Sequence, residues 1–190
     1  MDKLVFDIET KNTFDDVGGR DHLKDLDVSI VCAYSYDQNK YFSFFENELE
    51  AFGEMARRSL LVGFSSKRFD ALILEKHYAF NISALPHFDI LDEIENSLGR
   101  RVSLDVLAKA NLGDNGGKTA SGLDAVRFYR EGQLDLLKEY CLQDVKVTKE
   151  IFDLIRKQEY LWIPQRNMPQ MIKLPIVFTE PKAPPQASLF

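Results

Sequence analysis

The chain has 190 residues, 45% of them hydrophobic and 12% aromatic, which suits one domain with a buried core and excludes a wholly disordered chain. Twenty-four basic against 30 acidic residues give a net charge of −6. That excludes nucleic-acid binding by bulk positive charge, but leaves open an acidic site that holds cations against a phosphate. Two cysteines, Cys32 and Cys141, are too few for a disulfide framework, no run approaches the roughly twenty apolar residues of a membrane span, and Met1–Asp7 lacks a signal-peptide layout. The expectation is a soluble cytoplasmic protein.

Leu4–Ile8 alternates as a strand, with Leu4, Phe6 and Ile8 on one face and Lys3, Val5, Asp7 and Glu9 on the other. Val28–Asp37 and Lys40–Phe45 are β-rich runs joined at Gln38-Asn39, a hairpin pattern. Glu46–Ser59 reads as a helix, Leu60–Phe64 as a short apolar strand, Phe69–Phe80 as a helix and Pro86–Leu91 as a strand. Asp92–Ile155 is mostly helical, interrupted by a loop over Gly113–Ser121. Strands alternating with helices after a hairpin predict an α/β fold with a sheet of mixed direction. Six of the seven prolines lie at or after Pro164, and all ten glycines at or before Gly132. The expected division is therefore a domain over residues 1–160, a small extended or hairpin extension over 161–179, and a proline-rich flexible tail over 180–190. Residues 164–190 carry a net +2, which leaves −8 for residues 1–163.

Three places hold acids with chemical potential. Side chains two apart on a strand point the same way, about 6.5–7 Å apart at Cα, so Asp7 and Glu9 can reach one cation. The plainer reading is an edge strand ending in a solvated Asp-x-Glu. Asp70 follows the strand Leu60–Phe64 and the polar loop Ser65-Ser66-Lys67-Arg68. It either complements a helix dipole or stands at the strand end, where open α/β sheets place their sites. On the last long helix Leu134, Leu137, Cys141, Val145, Thr148, Phe152 and Ile155 form a core stripe, flanked by Tyr140, Asp144, Val147 and Ile151. An Asp beside a core stripe, one turn from a Tyr, is costly unless something pairs with it. A Tyr–Asp hydrogen bond that caps a neighbouring loop is the simpler account.

Phe6-Asp7-Ile8-Glu9-Thr10, Val62-Gly63-Phe64 through Phe69-Asp70, and Tyr140-Cys141-Leu142-Gln143-Asp144 stand in the order and spacing of three exonuclease motifs. Over residues 1–155 the chain resembles the DEDDy branch of the RNase H-like 3′→5′ exonucleases. Phe88-Asp89-Ile90-Leu91, Ser97 to Leu104, Lys118 and Gly122-Leu123 are similar to a bacterial subgroup of such nucleases. Ser65 departs from the pattern, since many relatives carry Asn there.

The resemblance implies an RNase H-like mixed sheet flanked by helices. It also implies a two-metal site in which Asp7, Glu9, Asp70 and Asp144 hold two Mg²⁺ or Mn²⁺ ions, oxygen ligands being what hard cations take. Tyr140 would orient the attacking water, because a phenol with its usual pKa near 10 is a poor base. Two divalent ions would offset the four negative charges. Ser65, Asp89, Arg101 and Lys118 are candidates for supporting or substrate contacts, and Arg100, Lys67 and Arg68 are further candidates for phosphate; each cation equally reads as an ordinary surface charge. Asp89 reads also as a helix N-cap. Gly117-Lys118-Thr119 has a phosphate-loop look, but Gly113 is one residue too close, so no nucleotide cofactor is expected. His22, His77 and His87 lack metal-ligand spacing.

Leu189 and Phe190 end the tail after Pro184-Pro185. Gln186-Ala187-Ser188-Leu189-Phe190 resembles the peptide that docks on the bacterial sliding clamp, with Gln186, Ser188, Leu189 and Phe190 as the contacting residues. The expected function is a 3′→5′ exonuclease that releases nucleoside 5′-monophosphates from DNA 3′ ends in replication or repair. An exoribonuclease and a non-catalytic nucleic-acid or clamp adaptor stand as alternatives.

Overall fold

The computed structural model describes residues 1–113, 121–165 and 170–180. Its centre is a mixed sheet of five strands in the order β3-β2-β1-β4-β5. They are β1 (Asp2–Thr10), β2 (Val28–Ser35), β3 (Lys40–Phe45), β4 (Ser59–Gly63) and β5 (His87–Asp89). β1, β2 and β3 form an antiparallel meander, whereas β4 runs parallel to β1 and β5 parallel to β4. The α/β architecture is the mixed RNase H-like sheet expected from the sequence.

β1 lies between two neighbours and is no edge strand. That position explains its composition, because a central strand covered on both faces reads as a continuous apolar run. Leu4, Phe6 and Ile8 face a core built with α1 (Leu49–Ala56) and α2 (Asp70–Leu74), through Phe52, Ala56, Ala71 and Leu74. Val5 faces the opposite core with α3 (Ile90–Leu98), α4 (Leu104–Leu112), α5 (Gly122–Arg130) and α6 (Leu134–Gln158). Asp7 and Glu9 extend that second face beyond the apolar part of the strand.

Several elements are shorter than the sequence pattern predicts. Glu46–Glu48 is a 3-10 turn before α1, and Ser59 belongs to β4. The helix expected over Phe69–Phe80 stops at Leu74 and continues only as a 3-10 turn over Glu75–His77. Tyr78 is drawn out of the helical path by tertiary anchors. Its hydroxyl donates to the Leu49 carbonyl at 2.9 Å, its ring stacks on Phe80, and it fills the space a side chain would need at Gly53. β5 ends at Asp89 because that residue caps α3, which starts at Ile90. Leu134 is 42% exposed and leaves the predicted core stripe, while Leu137, Cys141, Val145, Thr148, Phe152 and Ile155 are buried.

The chain then forms a two-stranded antiparallel hairpin, β6 (Tyr160–Pro164) and β7 (Met171–Pro175). Leu161, Ile163 and Leu174 of this hairpin join the core on the α6 face. No helix among the described residues is long and apolar enough to cross a membrane.

Candidate active site

The β1–β4 ladder pairs residues only as far as Val5 and Val62. Past that point the two strands part, and the loop after β4 enters the gap. Asp70, at the first turn of α2, turns its carboxylate back so that Oδ1 accepts the Ile8 N–H at 3.0 Å. A central strand would otherwise leave that donor buried without a partner. Asp70 is buried, and its pKa is pushed up to about 7, chiefly by desolvation, with nearby Asp89 and Asp144 adding to the rise.

On the other side of β1 the register shifts between Glu9 and Thr10, with Ser29 of β2 as the extra residue. A bulge of this kind re-aims the side chains beside it. Facing it, α6 brings the buried residues Tyr140 and Asp144 against the sheet, and the Cys141 thiol approaches the Asp7 carbonyl at 3.6 Å. One carboxylate oxygen from each of Asp7, Glu9 and Asp144 lies within 4.8 Å of the other two. Glu9 and Asp144 are buried and Asp7 is partly open. Carboxylates gathered this closely in poor solvent favour a cation, and an all-oxygen donor set suits a hard one.

The cluster sits where two lobes of a cleft meet. The larger lobe, about 670 Å³, is lined by Asp7, Glu9, Asp70, Tyr140 and Asp144 together with Phe14, Arg20 and Leu123. The smaller, about 520 Å³, shares Asp7, Ser65, Arg101 and Asp144 with it and adds Ser103, Leu104 and Asp105. All five residues singled out as catalytic in the sequence therefore line one cleft, with Asp70 outside the three-carboxylate group.

Asp89 proves to be scaffold. Fully buried, it accepts from the backbone N–H groups of Ser65 and Lys67 at 2.9 Å and caps α3 through Leu91 and Asp92. It thereby ties the loop that delivers Asp70 to the start of α3. Ser65 adopts a left-handed backbone, φ 65°, and its hydroxyl accepts from Arg101 at 2.7 Å. Asn is enriched in that region of backbone space. Arg68 and Lys67 are paired with Asp92, Arg68 also with Glu95, and Arg100 donates to the Pro164 carbonyl. Of these cations only Arg101 faces the cleft without a carboxylate partner among the described residues. Lys118, Gln186, Ser188, Leu189 and Phe190 lie outside the described residues.

The sequence reading missed two parts of the site. Phe14, Arg20 and Leu23 come from the loop between β1 and β2, whose composition carries no chemical signature. Asp105 follows the N-cap Ser103 and looks like any first-turn acid; it pairs with Lys109. Ser66 and His87 bond to each other at 2.7 Å beneath the loop that leads to Asp70. Burial lowers the His87 pKa to about 4, so this ring is neutral and structural. His77 is likewise held below its usual pKa by burial, and His22 pairs with Asp25 at the surface.

The fold is shared with much larger proteins. The family B DNA polymerase of the archaeon Pyrobaculum calidifontis matches with a TM-score of 0.60 at 17% identity, over 82% of this chain and 24% of the polymerase. The zinc-bound complex of E. coli ExoI with single-stranded DNA matches at 0.53 and 13% identity, over 83% of this chain and 41% of ExoI. The E. coli Exonuclease I complex with a dT13 oligonucleotide matches at 0.52 and 13%, with the same coverage. The chain thus spans less than half the length of each of these structures. No curated protein matches the sequence. The sequence itself matches the RNase_H superfamily over residues 4–156, four-fifths of its length, and the chain belongs to that superfamily.

Proposed function

We propose that this protein is a metal-dependent 3′→5′ exonuclease of the DEDDy type that hydrolyses phosphodiester bonds at DNA 3′ ends and releases nucleoside 5′-monophosphates. The observation that carries the reading is the convergence of Asp7, Glu9 and Asp144 within 4.8 Å, on a cleft that also holds Asp70 and Tyr140. The fold relatives described as bound to single-stranded DNA support DNA as the substrate.

Asp7, Glu9 and Asp144, joined by Asp70, would hold two Mg²⁺ or Mn²⁺ ions, and the donor set fits such ions. When bound, they lower the pKa of water and stabilise the charge on the leaving oxygen. The protein's own contribution is placement. The Tyr140 hydroxyl, one helical turn before Asp144, orients the attacking water. Arg101, held by Ser65, reaches the phosphate, and Phe14 and Leu123 bracket an unpaired terminal base. Residues 1–160 form the catalytic unit and 161–179 an appended hairpin. The tail from 180 tethers Gln186, Ser188, Leu189 and Phe190 for capture by the bacterial sliding clamp, which assigns the protein to replication or repair.

The test uses matched single-stranded DNA and RNA oligonucleotides labelled at the 5′ end, with Mg²⁺ or Mn²⁺, and with EDTA and Asp144→Asn as controls. The expected result is a metal-dependent ladder on DNA that drops roughly 10³-fold or more in the variant. A ladder confined to RNA overturns the DNA assignment, and no ladder on either overturns the exonuclease. Deletion of residues 186–190 is expected to abolish clamp binding and leave cleavage unchanged.

A further inference from the structure

The outer face of the β6–β7 hairpin is unusual for a ribbon open to solvent. In the observed register Tyr160 lies opposite Pro175, Trp162 opposite Lys173 and Pro164 opposite Met171. Directly paired residues share a face, so Tyr, Trp, two prolines, Met and one Lys stand together, while Leu161, Ile163 and Leu174 face the core. Trp162 is 38% exposed and Met171 49%. The Lys173 ammonium lies 4.0 Å from the centre of the Tyr160 ring, whose edge meets Trp162 at a centroid distance of 5.6 Å.

Trp162 is also held in place. Its backbone N–H donates to Oδ1 of Asn111, and its carbonyl accepts from the same side chain's Nδ2, both at 2.8 Å. One amide thus closes the open edge of β6 and fixes the backbone of Trp162 against α4. The opposite end of α4 starts with Leu104 and Asp105, which line the smaller lobe of the cleft. Asn111 stands six residues after Asp105 along the helix, a rise of about 9 Å. The adjacent arginines make the same link, because Arg101 faces the cleft while Arg100 bonds the Pro164 carbonyl.

We propose that this face is a second binding surface for single-stranded nucleic acid, on which Trp162 stacks a base upstream of the 3′ end and Lys173 contacts a phosphate. The inference rests on the exonuclease reading and names a surface that lies outside the cleft. The choice of occupant follows from charge and ring chemistry. An aromatic ring beside a cation is the minimal platform for a stacked base with its phosphate. A strand that leaves the cleft through the smaller lobe runs along α4 toward it.

Trp162 is the only tryptophan in the chain, so it reports its own occupancy. The full-length protein is titrated with 3′-phosphorothioate oligothymidylate of about 12 and of about 3 nucleotides, and with the oligouridylate equivalents. Ca²⁺ is present to occupy the carboxylates, and both intrinsic fluorescence and anisotropy of a 5′ label are followed. Saturable quenching by the longer strand and none by the shorter is expected. Trp162→Ala is expected to weaken binding of the longer strand about tenfold and leave the shorter unchanged; Lys173→Ala is expected to lower the salt dependence of the longer strand's binding. Quenching by both polymers identifies the shared backbone and stacking chemistry as the ligand, and quenching by one shows that the surface reads the sugar or the thymine methyl. Binding seen by anisotropy without quenching, and with Trp162→Ala unaltered, overturns this surface and leaves the exonuclease standing. Fluorescence that follows protein concentration alone assigns the face to a second copy and overturns it too. Absence of binding by either readout removes both readings.

Discussion

Beyond the C-terminal ends of two neighbouring parallel strands stand two buried aspartates, and their carboxylates are held in different ways. Asp89, at the end of β5, accepts four backbone N–H groups across both its oxygens. Asp70, just past the end of β4, accepts from Ile8 on β1, has less to hold its charge, and its pKa rises to about 7. A buried carboxylate saturated by backbone donors serves as a structural tie. One that burial keeps reluctant to ionise, beside three more acids, is suited to a cation. The difference lies in donors and not in residue type, which is why both read alike as Asp in the sequence.

The largest predicted effect tests that contrast directly. Asp89→Asn turns an amide N–H₂ toward backbone donors and is expected to cost about 3 kcal/mol or more of stability. Asp70→Asn keeps an oxygen for Ile8 and sheds a poorly solvated charge, so stability should stay within about 1 kcal/mol while nuclease activity collapses. Denaturant midpoints and cleavage rates of the two variants, measured side by side, decide this. Equal loss of stability in both would erase the distinction.

Much of this arrangement was legible in the sequence. Asp7, Glu9, Asp70, Tyr140 and Asp144 carried a motif order that placed them on one cleft, because strand and helix periodicity fixes which side chains share a face. The central position of β1 was not legible from Asp-x-Glu alone, since an exposed end and a cation site demand the same two letters. The truncated helix at Asp70–Leu74 was hidden because Tyr78 is pulled away by contacts with Leu49 and Gly53, which are distant in sequence. Asp89 was read as a cap or a support, and its geometry makes it both.

His87 offers a second test of the loop that separates the two acids. Its folded pKa is lowered to about 4 by burial, so between the ordinary value of 6.5 and about 4 the unfolded chain binds more protons. Stability contributed by the neutral ring is therefore complete above about 6.5 and lost as pH falls toward 4, a difference of about 3 kcal/mol. Subtracting the profile of His87→Gln isolates this slope from other groups. A flat difference across that window would mean that burial does not hold the ring neutral.

Gly63, where β4 gives way to the Asp70 loop, tests the same segment by sterics. A Cβ there would stand 2.1 Å from Ser66 Oγ and 2.5 Å from Ser66 Cβ. Gly63→Ala is expected to cost about 1–3 kcal/mol by overpacking and to lower activity by displacing Asp70. Adding Ser66→Gly should return part of the loss, measured as a recovered melting temperature.

The smallest effect concerns Ser65, which joins the two sides of the comparison by bonding Asp89 through its N–H and Arg101 through its hydroxyl. Its left-handed φ of 65° costs an L residue about 1 kcal/mol, and Gly or Asn adopts it more readily. Ser65→Gly and Ser65→Asn should therefore both stabilise the fold by up to about 1 kcal/mol. They part company in activity, because the Asn side chain still offers an oxygen to Arg101 and Gly offers none. A KM raised a few-fold in the Gly variant and unchanged in the Asn variant would separate the backbone strain at this residue from its contact with Arg101. If Ser65→Gly instead loses stability, the hydroxyl bond outweighs the strain, and Arg101 is then part of the scaffold that Asp89 anchors.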